Sequence, residues 1–363
     1  MRIALIGRFE EGEIVAGPER VTRELFAELK RKNFQTIFIE YFFSGYKNSS
    51  IFKKLFGKEA LNNNSIIRLG IFPLISFLIK EKYEIIHIVN LQRFILFLFL
   101  VRPFIKSHYI ATLHGFLKYE IPSKNYLMKR YFLDLWVEKL VVKKCELLIF
   151  PSKLLFETFN KRNKISEGRY RIIPNGVSEI FKFQNTNFPS IENSLRIVFY
   201  NGSGDEINKG LDELSVLLKK AKCKIELFVL GRKGEVVSSD NTEIIYRGLK
   251  SHQEMIGFLK DKHFVIKSGV FDTFSIFVAE CMSLGLVPIV NQNVGINEFI
   301  RHNVNGFIFN HSSSTDLPDL LNEIFGGKYD LKLISANAKK IYEVVNWNRI
   351  SERYYESFER LIK

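Results

Sequence analysis

The stretch FDTFSIFVAECMSLGLVPIV, Phe271 to Val290, carries two carboxylates in a run of aromatic, β-branched and small residues that otherwise reads as buried core. Asp272 and Glu280 stand eight positions apart. An ionised carboxylate only accepts hydrogen bonds, so each needs donors: backbone amides, a cation, or the hydroxyls of a ligand. A helix beginning near Thr273 would leave the amides of Thr273, Phe274, Ser275 and Ile276 without partners inside the helix. Those amides and the helix dipole make an anion site, with phosphate the natural occupant. Glu280 would then lie two turns inside the helix, about 12 Å along its axis at ~1.5 Å per residue. The plainer structural reading makes Asp272 a simple N-cap and Glu280 a charge at the core edge.

Three other junctions carry residues of this kind. GRFEEGEIVAGPERV sets Gly17 and Pro18 just before a helix, and a glycine there permits close approach of the backbone to a ligand. SHYIATLHG places His114 at the end of a strand. YNGSGDEINKGLDEL puts Gly202, Gly204, Gly210 and Lys209 ahead of a helix, where the lysine supplies a point charge for an anion. Glu298 follows in GINEF.

The elements that must position these residues alternate regularly. Arg2–Gly7, QTIFIEYF, EIIHIVN, SHYIATLHG, CELLIFPS and YRIIPNGV read as strands. Amphipathic segments separate them, the first being Glu19–Lys32 with Val21, Leu25, Phe26 and Leu29 at helical spacing. QNTNFPSIENS (Gln184–Ser194) reads as a linker. The alternation then restarts with LRIVFYNG, KGLDELSVLLKKA, KIELFVLG, EIIYRG, SHQEMIGFLKDK and HFVIKSG, and a final helix spans Asn348–Lys363. Strands alternating with helices predict α/β units with parallel sheets covered on both faces. In such sheets ligands bind beyond the carboxyl ends of the strands, where all four junctions fall. The expected domains are residues 1–180 and 181–345, with the helix of 346–363 packing back toward the first.

Composition bounds the class. A chain of 363 residues exceeds what one core usually supports. Its three cysteines, Cys145, Cys223 and Cys281, are far apart, which argues against a disulfide framework or a zinc site and suits a reducing cytoplasm. MRIALIGRF reads as a first strand, not a signal peptide. Ile66–Lys80 and Phe94–Ile105 are very apolar but broken by Arg or Pro, and shorter than the roughly 20 residues of a spanning helix. The net charge of +14 is uneven: residues 1–180 hold 30 Lys+Arg against 17 Asp+Glu, the remainder 23 against 22. The first half is therefore expected to meet something anionic.

In order, these motifs make the chain resemble the retaining nucleotide-sugar glycosyltransferases of the GT-B fold, in particular glycosyltransferase family 4. The glycine loop with "ER", "LHG", the hinge-like IIPNGVSEIF, KGLDEL, and the two-acid region continued through VGINEFIRHNVNGFIF carry the likeness over nearly the whole chain. Two positions depart from it. The family's first acid is usually Glu, here Asp272, and the arginine that usually precedes the phosphate-side lysine is missing from NGSGDEIN.

The resemblance implies two Rossmann-like domains facing a central cleft, the second holding a nucleotide-diphosphate sugar and the first the acceptor. Asp272 would meet the donor-sugar hydroxyls and Glu280 the ribose. The amides of Thr273 to Ile276, with Gly202 and Lys209, would face the diphosphate, and Gly17 would let the backbone approach phosphate or sugar. Glu298 would orient the nucleotide side, and His114 would contact the sugar near the reacting carbon. UDP is favoured over GDP by family frequency. With no Asp-x-Asp motif in the sequence, no metal or other cofactor is expected. The acceptor is expected to be a glycan or lipid-linked unit of cell-envelope polysaccharide or lipopolysaccharide. The aromatic and lysine-rich Tyr41–Lys58 would seat the protein on the anionic cytoplasmic face of a membrane. Other classes weighed are a two-Rossmann epimerase or phosphorylase, an inactive relative, and a nucleic-acid-binding protein. No nucleic-acid motif supports the last.

Overall fold

The structure, a computed structural model, describes residues 1–9, 17–42, 50–61, 65–115, 128–182, 187–202, 210–310 and 312–363. It divides into two compact units, one formed by the N-terminal part of the chain through Pro174 with Trp347–Lys363, the other by Asn175–Asn346. The division falls at Pro174 because Val177 and Phe181 are buried in the core of the second unit. The Val177 amide there donates to the Val345 carbonyl at 2.7 Å.

In the first unit the described strands are β1 (Arg2–Gly7), β2 (Gln35–Tyr41), β3 (Lys58–Leu61), β4 (Ile66–Leu69), β5 (Ile85–Ile88), β6 (His108–Thr112), β7 (Leu147–Phe150) and β8 (Tyr170–Ile172). They form one sheet in the order β3-β4-β2-β1-β5-β6-β7-β8. All neighbours pair in parallel except β3, which runs antiparallel to β4 at the edge. β5 and β7 are buried at every position, as parallel strands covered on both faces must be. The order reverses between β1 and β5, the switch point at which doubly wound sheets bind ligands.

Helix Gly17–Arg31 buries Val21, Leu25, Phe26 and Leu29, with Glu19 in its first turn and Lys30 and Arg31 in its last, both favourable to the helix dipole. The C-terminal helix Trp347–Ile362 belongs to this unit. Tyr354 and Phe358 pack on the buried His87 ring, and Tyr355 stacks on Phe34 at 4.2 Å. The apolar segment 66–80 divides at Gly70 into β4 and helix Ile71–Glu81, and segment 94–105 contains helix Ile95–Val101. No helix among the described residues is long and apolar enough to cross a membrane.

The second unit's described strands are β9 (Leu195–Tyr200), β10 (Ile225–Leu230), β11 (Val237–Ser238), β12 (Thr242–Gly248), β13 (Phe264–Lys267), β14 (Val287–Asn291) and β15 (Phe307–Phe309). Their order is β11-β12-β10-β9-β13-β14-β15, parallel except for the β11–β12 edge. Alternation along β9 sends Ile197 and Phe199 into a core with Leu214, Leu218 and Leu321, and Val198 into a second core with Val278, Cys281 and Met282. Helix Ile276–Leu284 is buried from Val278 through Ser283, so it is a core helix without a solvent face there. All three cysteines are buried free thiols.

Candidate functional site

In the second unit the carboxyl ends of β9, β10, β13 and β14 are laced together. Gly210 has φ +74 and begins helix Leu211–Leu218. A Cβ at Gly210 would come within 3.1 Å of the Ser268 carbonyl oxygen and the Gly269 Cα. The Ser268 hydroxyl donates to the Gly210 carbonyl at 2.9 Å. Gly202 (φ 77) and Gly231 (φ 89) lie closer still: a Cβ on Gly231 would sit 2.0 Å from the Gly202 oxygen. These close approaches, not a ligand alone, require glycine at the ends of β9 and β10. Asn291 closes the other side by donating to the Gly269 carbonyl at 3.0 Å. Lys209 and the rest of 203–209 lie outside the described residues.

Asp272 is fixed by main chain and side chain. Its amide donates to the Asn293 carbonyl at 3.3 Å, and its carbonyl accepts from Gly295 at 2.9 Å. Its Oδ1 accepts from the Phe274 amide at 3.1 Å, an Asx-type turn. Its Oδ2 lies 3.0 Å from the Lys267 ammonium.

That turn corrects the expected start of the helix. The helix begins at Ile276, with Ser275 as N-cap at φ 69. The Asp272–Phe274 turn and the fully buried Phe274 ring hold the chain out of helix until then. Asp272 is therefore not the N-cap, and the Phe274 amide is already engaged. Val278 and Ala279 donate back to the Ser275 carbonyl. Among the described residues no hydrogen bond takes up the amides of Ser275, Ile276 or Phe277. The amides expected to meet an anion thus shift by about one to two residues along the chain.

Glu280 is almost fully buried and stands about one turn into the helix, ~6 Å along the axis at ~1.5 Å per residue. Burial and its charge together push the neighbouring Cys281 thiol well above the usual thiol range. Glu298 is exposed on the 3-10 turn Gly295–Phe299, whose first residue is bonded to Asp272.

Sequence reasoning missed Lys267. It ends β13, a strand buried at all four positions, and its side chain is 7% exposed. A lysine closing the run FVIK five residues before the acid was the available signal.

In the first unit His114 follows β6. Its ring bonds to the Val89 backbone, and burial lowers its pKa to about 4 against that bond. The imidazole is therefore neutral at pH 7, and its buried Nε2 has no partner among the described residues. Beside it, at the switch point, Asn90 Oδ1 accepts from the Arg8 amide at 3.1 Å and lies 3.1 Å from the Thr22 hydroxyl. Glu19 pairs with Arg8 at 3.6 Å. Gly17 is exposed as the first residue of its helix, and a Cβ there would meet nothing within 4 Å. Among the described residues no group of three or more His, Cys, Asp or Glu could hold a metal ion.

Comparison with known proteins covers both halves. Residues 15–179 match the model of Glycosyltransferase Family 4, and residues 184–341 match Glycosyl transferases group 1. The uncharacterized glycosyltransferase MJ1069 of Methanocaldococcus jannaschii is 25% identical over 287 residues, covering 73% of this chain and 71% of the relative. Sucrose-phosphate synthase from Thermosynechococcus elongatus superimposes with a TM-score of 0.75 at 14% identity, covering 99% of each chain. HepE of Anabaena, solved with UDP and glucose, gives 0.69 at 14% identity over 99% of this chain and 100% of its own. Two Rossmann-like units with these relatives define a GT-B fold. The chain belongs to the family 4/group 1 glycosyltransferases.

Proposed function

We propose that the protein is a retaining hexosyltransferase that works without a metal ion and takes its sugar from a nucleotide diphosphate, UDP ahead of GDP. The observation that carries this reading is the order of groups after β13: a pinned carboxylate at Asp272, unengaged amides at Ser275 to Phe277, and buried Glu280 one turn further on. That sequence of acceptor, donors and acceptor follows the chemical order of sugar, diphosphate and ribose. HepE, which shares the fold, was solved with UDP and glucose.

In the reaction the bond from C1 to the diphosphate oxygen breaks, and the acceptor oxygen bonds C1 from the same face. The acceptor proton passes to a leaving-group phosphate oxygen. The helix amides and Lys209 stabilise the charge that develops on the diphosphate. His114, neutral and with Nε2 as an acceptor, is suited to a sugar hydroxyl and not to balancing phosphate charge. Gly17 and Glu298 keep the backbone-approach and nucleotide-side roles that the family resemblance implies.

The acceptor reading is a glycan or lipid-linked unit of cell-envelope polysaccharide or lipopolysaccharide, reached from the inner membrane face. Its support is the basic first half and an apolar surface in the first unit. Ile51, Phe52 and Phe56 of helix Ile51–Phe56 are exposed beside Lys53 and Lys54, with Phe56 stacked on the exposed Phe72 at 5.1 Å. Exposed Leu100 and Phe104 follow. Aromatic and lysine side chains together suit an anionic lipid interface.

The test is a thermal-shift panel of UDP- and GDP-sugars, followed by product analysis with a cell-envelope lipid fraction. Stabilisation by a nucleotide sugar and α-to-α transfer support the proposal. Stabilisation by none of them, or an inverted product, would overturn it.

A further inference from the structure

We propose that Lys267 is a positioning residue for Asp272, holding its carboxylate in the orientation from which the donor sugar is met. The inference rests on the reading of Asp272 as the sugar-side acid. Lysine is almost never buried unless paired, and an aliphatic residue would suit the last position of β13 better. Lys267 nevertheless stands there, 7% exposed, with its ammonium 3.0 Å from Asp272 Oδ2. The opposite oxygen, Oδ1, is held by the Phe274 amide at 3.1 Å. The Asp272 main chain is tied on both sides to the loop after β14.

A carboxylate offers about four acceptor positions. The Phe274 amide and the Lys267 ammonium engage one on each oxygen, and together they fix the plane of the group and hence the directions in which its lone pairs point. The rotation thus blocked is the broad terminal torsion of aspartate, which has no sharp minimum of its own. Asp272 is one methylene shorter than glutamate, so its reach depends on where the loop and the lysine place it. An ammonium, a compact charge on a flexible stem, can supply that anchor from the strand below.

The test measures, by calorimetry, UDP with UDP-glucose, UDP-galactose and UDP-N-acetylglucosamine, and GDP with GDP-mannose. The proteins compared are wild type, Lys267→Met and Lys267→Gln. The glutamine variant retains a neutral donor and guards against a methionine variant that fails to fold. For the tightest wild-type pair, Lys267→Met should weaken the nucleotide sugar about tenfold, the scale of one charge-assisted hydrogen bond. The free nucleotide should change less than about twofold, and Lys267→Gln should lie between. Equal weakening of sugar-bearing and free nucleotide, or no weakening of either, would leave Lys267 a purely structural charge and overturn the proposal. Wild-type protein that binds no nucleotide of the panel would instead remove the donor reading, and this inference with it.

Discussion

Replacing Asp272 by asparagine separates the proposed catalytic effect from the structural one, because the side chain is held by the Phe274 amide and Lys267 and is proposed to meet the donor sugar. Asparagine keeps the size of the residue and an oxygen that can accept from the Phe274 amide, now 3.1 Å from Oδ1. It removes the charge facing Lys267, whose side chain is 7% exposed against 16% for Asp272. Breaking a fully buried ion pair from one side costs about 3–5 kcal/mol. Asparagine has one oxygen for these two donors, so with the Phe274 amide bonded its NH2 group faces the ammonium, and at least a charge-assisted hydrogen bond of about 2 kcal/mol is lost. For a unit of this size that lowers the melting temperature by roughly 4–8 °C. The double variant Lys267→Met/Asp272→Asn removes the ammonium that the asparagine NH2 would face and should regain part of the loss, with a coupling of about 1–2 kcal/mol. Donor turnover should fall about 10- to 100-fold, because a hydrogen bond to the transition state goes with the charge. Free UDP should bind nearly as before, whereas Glu280→Gln should weaken UDP and UDP-sugar alike. Differential scanning calorimetry and nucleotide titration read these effects separately. Asp272→Asn melting like wild type, with no gain in the double variant, would refute the pairing argument. Loss of UDP affinity matching that of Glu280→Gln would refute the assignment of sugar and ribose ends.

Gly231→Ala should unfold or strongly destabilise the second unit, since its Cβ would stand 2.0 Å from the Gly202 oxygen at φ +89; a wild-type circular dichroism melt would disprove that contact. Stability should fall as pH drops from about 6.5 toward 4. Burial holds His87 at about 3 and His114 at about 4 in the folded chain, while unfolded imidazoles take up protons from about 6.5. Each such group contributes up to about 1.4 kcal/mol per pH unit in that window. His87→Leu should remove about one proton from the slope of urea stability against pH, and an unchanged slope would show that His87 does not titrate this way. Vesicles with anionic lipid should retain the protein at low salt and release it at high salt. Phe52→Asp/Phe56→Asp should weaken that retention several-fold, and equal retention by both proteins would move the lipid contact elsewhere.

Much of the fold was legible because parallel strands buried on both faces leave near-continuous apolar runs such as LLIF and FVIK. The edges were not legible. β3, KEAL, and β11, Val237–Ser238, are short and pair with a single antiparallel neighbour. Neither is long enough to show a period. The segment Ile66–Lys80 hid its division in the same way, because strand and helix meet at Gly70 with apolar residues on both sides.

At the candidate site the residue types were readable and the local geometry was not. An aspartate followed by a threonine and an apolar run fits both an N-cap and an Asx-type turn, and sequence spacing does not choose between them. What chooses is tertiary: Phe274 has to fill the core, and Asp272 has to meet Asn293 and Gly295 from the next loop. Those contacts delay the helix to Ile276, so the amides offered to an anion differ from the expected set while Asp272 keeps its place ahead of them. The same contacts explain Lys267. A charge at the end of an apolar strand reads as an exposed terminus until the fold brings its partner within 3.0 Å. Its partner Asp272 stands five positions away, and no helical or strand period connects the two.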